Sequence, residues 1–167
     1  MQDTQNSSDY RISVKPLLYR EGEAKALSLT IDADTAVSYG IPCVQLPVIE
    51  GKLENQAGVL FLKYHVSCVP LAECDRCLSP VHTAIEADFV HVVVTQTASE
   101  QNDSEYLLAS DAMLDLAEAV MTDLRLSLPS KTLCSPECRG LCPVCGCNRN
   151  ESECSCDSED ITFSQDF

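Results

Sequence analysis

Along much of the first hundred residues, apolar positions alternate with polar ones, the two-residue period of a strand with one buried face. Ile12 and Val14 alternate within Arg11 to Leu18, and Leu27, Leu29 and Ile31 share one face of the run from Lys25 to Asp32. A short irregular stretch follows, punctuated by Gly40 and Pro42. Three longer β-type runs come next: Val44 to Leu53, Gly58 to Leu71, and Val81 to Thr95. The links Glu54-Asn-Gln-Ala-Gly58 and Leu78-Ser-Pro80 carry turn residues. Strands joined by short links with no helix between them pair antiparallel. The period then changes. Met113, Leu116, Ala117, Val120, Leu124 and Leu128 recur at helical spacing, with Asp115, Glu118, Asp123 and Arg125 on other faces. These positions predict a helix over 111–128, capped by Ser110 or Asp111 and stopped by Pro129.

The predicted fold class is α+β: a β-rich antiparallel sheet or open barrel with one packed helix, plus a C-terminal cysteine-rich zinc-knuckle segment. The predicted boundaries are a mobile N-terminus over 1–9, a body over 10–129, a zinc-binding segment over 130–157 and an acidic tail over 158–167. Residues 98–105 read as a polar loop. The segment from Ser130 onward is poor in large apolar residues and rich in cysteine, so a metal must order it.

Composition narrows the function. Hydrophobic residues make up 45% of the 167, enough for a packed core. With no Trp and 5% aromatics, that core rests on Val, Leu, Ile and Ala. A net charge of -15 argues against a body that grips phosphate backbones and suits a basic protein partner. No apolar leader opens the chain and no run of 18 apolar residues occurs, which predicts a cytoplasmic protein with no membrane association. Disulfides do not persist in that compartment, so the 11 cysteines point to metal ligation.

Seven of those cysteines lie between Cys134 and Cys156. The sharpest element is Cys142-Pro-Val-Cys145-Gly146, in which a two-residue spacer brings two sulfurs to one ion. Pro143 pre-sets one backbone angle, Gly146 accepts the left-handed turn, and the turn's amides can face the sulfurs. A structural zinc needs two more ligands. Cys134 and Cys138, four apart, complete the expected set, with Cys154 and Cys156 as the rival pair. Cys147 stands too near Cys145 to be an easy co-ligand. One structural zinc ion is the expected cofactor, with an iron–sulfur cluster as the lesser alternative. Lys131, Arg139 and Arg149 can offset the thiolate charge, and they are the candidate RNA contacts.

A second motif, Cys74-Asp-Arg-Cys77-Leu78, admits three readings. It can be a redox pair. It can be half of a second metal site completed by Cys68 and one of Cys43, His65 or His82. It can also be a structural or interaction turn between strands, with Arg76 exposed and Leu78 buried. No nucleophile–base pattern, paired carboxylates or phosphate-cradling loop is present, so no catalytic residues are assigned and the expectation is a protein that is not an enzyme.

The two motifs together, Cys74-Asp-Arg-Cys77-Leu78 followed by Cys138-Arg-Gly-Leu-Cys142-Pro-Val-Cys145-Gly146, resemble the YceD family of large ribosomal RNA subunit accumulation proteins. The resemblance implies a non-enzymatic role in ribosome assembly in a bacterial setting. Its expected partners are a basic large-subunit ribosomal protein or pre-ribosomal RNA, with no small-molecule substrate. Two departures stand out: Cys147-Asn-Arg-Asn150 replaces the Asn-Leu-Asn that often follows the knuckle, and the C-terminal tail lacks the family's Asp-x-Arg-x-x-x-Leu. Competing readings are a metal-handling protein, suggested by surplus cysteines, and a thiol redox protein using Cys74 and Cys77.

Overall fold

The computed structural model describes residues 10–95 and 106–156. The predicted N-terminus, the polar loop over 98–105 and the acidic tail lie outside the described residues. Nine strands and three helices follow in order among the described residues: β1 Arg11–Ser13, α1 Lys15–Leu18, β2 Ala24–Thr30, α2 Ala33–Ser38, β3 Cys43–Gln56, β4 Val59–Pro70, β5 Ala72–Glu73, β6 Pro80–Val81, β7 Ile85–Val94, β8 Leu107–Leu108, β9 Met113–Asp115 and α3 Leu116–Ser127. The chain forms two compact units. One takes the residues up to Pro70 together with Thr83–Leu128; the other takes Leu71–His82 together with the residues from Pro129 onward. The expected body over 10–129 therefore loses residues 71–82, which carry the first Cys-x-x-Cys motif, to the cysteine-rich unit.

The first unit is built on a sheet of order β2-β3-β4-β7-β8. Its long pairings are antiparallel, as the short links require, and β8 adds a two-residue parallel edge. The alternation in β4 is complete: Leu60, Leu62, Tyr64, Val66 and Cys68 are buried, and the residues between them are not. The β3–β4 hairpin turns at Ala57 and Gly58, both at positive φ, a geometry that matches the twist of paired strands. Gly51 faces Tyr64 across that hairpin, where an added Cβ would meet the Tyr64 Cβ at 2.6 Å. Pro47, which has no amide to donate, falls where the register shifts.

Helix α3 buries Leu116, Ala117, Val120, Met121 and Leu124 in the same core. It starts at Asp115, whose side chain accepts from the Glu118 amide at 3.1 Å, and not at Ser110 or Asp111. The residues expected to open it, Met113–Asp115, instead pair with β1, with Ile12 opposite Leu114. Asp123, placed off the apolar stripe, is buried; it accepts from the Tyr64 hydroxyl and lies 2.6 Å from His91 Nε2. The irregular stretch before Gly40 is α2, capped by Asp32 through the Thr35 amide at 2.8 Å. The strand expected through Leu18 stops at Ser13, because Pro16 suits the first turn of α1, where no amide donor is needed.

The second unit has almost no hydrocarbon interior. Its buried cluster is Val81 with Cys74, Cys77 and Cys138, flanked by Leu133 and Leu141. Strands β5 and β6 form a two-residue antiparallel ribbon.

Candidate metal centres

The ribbon β5–β6 carries the turn Cys74-Asp-Arg-Cys77-Leu78 at its tip. The Leu78 amide donates to the Cys74 carbonyl at 2.9 Å, and Leu78 takes φ +60°, a left-handed position where glycine is usual. Four further bonds tie this turn to the C-terminal segment. The Asp75 amide donates to the Thr132 carbonyl at 2.9 Å, and the Thr132 amide returns to Asp75 Oδ2 at 2.7 Å. The Leu141 amide donates to the Arg76 carbonyl at 3.0 Å, and Arg76 Nη1 donates to the Cys138 carbonyl at 2.8 Å. Gly140, at φ +74°, permits this closeness: a Cβ there would lie 2.9 Å from the Arg76 carbonyl oxygen. As a result Cys134 Sγ lies 3.5 Å from Cys77 Sγ, and Cys138 Sγ lies 3.7 Å from Cys74 Sγ. Ligand atoms of all four lie within 4.8 Å of one another. Four sulfurs about 2.3 Å from a tetrahedral zinc stand about 3.8 Å apart, so this spacing fits the ion.

The second turn repeats the first. In Cys142-Pro-Val-Cys145-Gly146 the Gly146 amide donates to the Cys142 carbonyl at 2.8 Å, with Gly146 at φ +74°. The chain then curls, and the Cys142 amide donates to the Cys147 carbonyl at 2.8 Å. This brings Cys147 beside the knuckle, and Cys154 joins it. Cys142, Cys145, Cys147 and Cys154 form a second group with sulfurs within 4.8 Å.

Electrostatics divides each group. In the first, burial opposes the Cys74 thiolate, but the amides of Cys134, Arg76 and Cys77 outweigh it and hold this thiol down at about 6. The Ser79 hydroxyl and amide lower Cys77. The Cys77 and Cys138 side chains, close against it, push Cys134 up to about 12. In the second, the Cys145 and Val144 amides hold Cys142 at about 6, and the Cys147 amide lowers Cys145. Cys147 and Cys156 are pushed up to about 12, chiefly by Cys145. Each group thus pairs thiols whose ionisation is favoured with thiols whose ionisation is opposed, and four sulfurs at this spacing make a donor set that a divalent cation completes.

The expected ligand set Cys134, Cys138, Cys142 and Cys145 is thus split, two thiols to each group. Sequence spacing exposes only local pairs, whereas Cys134 and Cys138 find partners about 60 residues upstream, 57 for Cys77–Cys134 and 64 for Cys74–Cys138. Cys147, set aside as extra, belongs to the second group because the left-handed Gly146 turns the chain between it and Cys145. Cys68 and Cys43 do not join Cys74 and Cys77; they lie in the first unit, where Cys43 Sγ donates to the Ile41 carbonyl at 3.3 Å and His65 pairs with Asp88 at 3.0 Å. Leu78, expected buried, is 59% exposed, because its role in the turn is a backbone one. Arg76 is exposed, as expected. Arg139 and Arg149 line one polar hollow of 230 Å³ with Ser152, Glu153 and Cys154, while Lys131 is exposed and is not among its lining residues.

Two features escaped the sequence reading. Asn150 Nδ2 donates to Cys138 Sγ at 3.3 Å, and Asn150 Oδ1 accepts from the Arg139 amide at 2.8 Å. Only the Asn148-Arg-Asn150 pattern hinted at this. In the first unit a hollow of 540 Å³ is lined by His91, Asp115, Glu118 and Asp123 among others, and Asp123 there joins Tyr64 to His91. The signal was an acidic residue one position before a helical stripe residue. No helix among the described residues is long and apolar enough to cross a membrane.

Comparison with known proteins places this geometry. The family model described as "Large ribosomal RNA subunit accumulation protein YceD" matches residues 62–165, which include both knuckles. An uncharacterized protein of Mycobacterium tuberculosis is 31% identical over 84 residues, covering 48% of this chain and 41% of the relative. A Zea mays protein, "Large ribosomal RNA subunit accumulation protein YCED homolog 1, chloroplastic", is 21% identical over 182 aligned positions, covering 90% of this chain and 62% of that protein. The chain thus spans under half the length of the mycobacterial relative. No solved structure matches.

Proposed function

The chain belongs to the YceD family, and from that premise we propose that it is a non-enzymatic assembly factor supporting the accumulation of large-subunit ribosomal RNA. The observation that carries this reading is the family match across residues 62–165, which takes in the first knuckle and every cysteine of the second unit's C-terminal segment. In this reading zinc is the ion. Cys74, Cys77, Cys134 and Cys138 hold one, and it supplies the folding energy that a cluster with one valine and two flanking leucines cannot. This chain's own residues do the rest. Backbone amides favour the Cys74 thiolate, Ser79 favours that of Cys77, and Arg76 and Gly140 lock the two halves of the site together.

The protein works in the cytoplasm and acts through a basic large-subunit ribosomal protein or pre-ribosomal RNA. The net charge of -15 supports the protein partner, since opposite charges speed encounter. The shared hollow of Arg139 and Arg149 is the feature that supports an RNA contact. Depletion in the source organism followed by a ribosomal subunit profile tests the role: a reduced large-subunit peak is expected, and a normal peak refutes it. A pull-down at low and high salt tests the partner, with a basic ribosomal protein recovered at low salt and released at high salt.

A further inference from the structure

The second thiol group contains more sulfur than one ion needs. Cys142, Cys145, Cys147 and Cys154 already make a four-thiol set with sulfurs within 4.8 Å. Cys156, the next thiol along, lies outside that set but beside Cys145. Five thiols therefore gather, four of them within mutual reach, where a tetrahedral ion takes four. They come as one knuckle, Cys142 with Cys145, and three sulfurs on the short chain that follows it.

We propose that this group is a second zinc site, independent of the first, in which Cys147 and Cys156 are alternative holders of one coordination position. Cys142 and Cys145 are fixed by the knuckle's own hydrogen bonds, and Cys154 lies in the mutual set. Cys147 and Cys156 both reach Cys145, one from each side in sequence of Cys154. When either leaves the ion, the other stands within reach to replace it, so exchange never requires a three-coordinate ion.

Exposure separates this site from the first. In the first group Cys74, Cys77 and Cys138 are all buried; in the second only Cys142 is. An incoming chelator or acceptor thiol therefore reaches the second ion first. A redundant ligand on an open site makes an ion that is held yet exchangeable.

The proposal goes beyond the assembly role and shares with it only the choice of zinc. It is tested on the full chain, purified without chelator, by native mass spectrometry with zinc as the ion counted. The unmodified chain carries two zinc ions. Cys147→Ser and Cys156→Ser each still carry two, and the double variant carries one. Cys142→Ser also carries one, and the retained ion in the first group shows that the second unit still folds. One ion in the unmodified chain, one ion in either single variant, or two ions in the double variant overturns the proposal. So does a double variant with none, because the sites are then not independent. An unmodified chain with no zinc overturns the first site as well, whereas a single ion lost on Cys74→Ser overturns only the second. A normal ribosome profile on depletion refutes the assembly role and leaves these counts unchanged.

Discussion

The two knuckles share one backbone design and differ in what surrounds them. Each is Cys-x-x-Cys followed by a left-handed residue whose amide closes on the first cysteine's carbonyl, at 2.9 Å in one and 2.8 Å in the other. The first is completed from far away in sequence, is largely buried and is clasped by Arg76. The second is completed within nine residues of its own end and stays open. Equal local chemistry thus yields a largely buried thiol group in one place and an open one in the other. Burial and the reach of the completing ligands make the difference, not the motif.

The largest effect expected from breaking this contrast is removal of metal. A strong chelator at neutral pH should abolish dispersed amide signals from Cys74 to Leu78 and from Thr132 to Cys156, while β3 and β4 keep theirs. Structural zinc in small peptides contributes about 10–16 kcal/mol at pH 7, far more than the hydrocarbon of this unit can replace. Persistence of both knuckles without metal would falsify the view that sulfur–metal bonds stand in for a core.

The next effect comes from the other unit. Leu124→Ala removes a fully buried side chain of α3 and should cost about 2–5 kcal/mol in the stability of the sheet unit. Denaturant titration should show this loss with zinc content unchanged. A parallel loss of zinc would show that the units do not fold separately.

Gly140→Ala forces a side chain into a left-handed position against the Arg76 backbone. A cost of more than about 1 kcal/mol is expected, read as faster chelator-driven release from the first site with the second unaffected. Equal acceleration at both sites would remove the clasp from the explanation.

The smallest effect separates the units by pH. The Tyr10 hydroxyl and the Thr35 amide hold Asp32 at about 2, below its ordinary 3.8. The stabilisation from this carboxylate is complete above the ordinary value and is lost as pH falls toward 2. Melting temperatures measured from pH 5 downward should therefore fall less steeply in Asp32→Asn than in the unmodified chain. Matching slopes would show that the cap does not titrate in that window.

Much of the sheet was legible because β4 keeps a strict period of two with one face buried. The helix was legible in its middle and not at its start. Met113 satisfies the helical stripe, but Met113–Asp115 pair with β1, about a hundred residues earlier, and no local pattern announces such a pairing. The same limit governed the thiols. Cys142 and Cys145 are a local unit and were read correctly as a knuckle. Cys134 and Cys138 looked like their partners because they are near in sequence, yet three-dimensional closure gave them to Cys74 and Cys77. Asp123 was read only as lying off the apolar stripe, and its burial shows once Tyr64 and His91 are seen to converge on it.

Because the first site joins Cys77 to Cys134, 57 residues apart, its two halves leave the ribosome at different times. At about 5–20 residues per second, the early pair waits about 3–11 s for the late pair. During that interval the nascent chain displays two unsatisfied sulfurs, and any ion caught there is only half held. Emergence of Cys134 and Cys138 is what completes the four-thiol group. A chain truncated before Cys134 cannot assemble the four-thiol group.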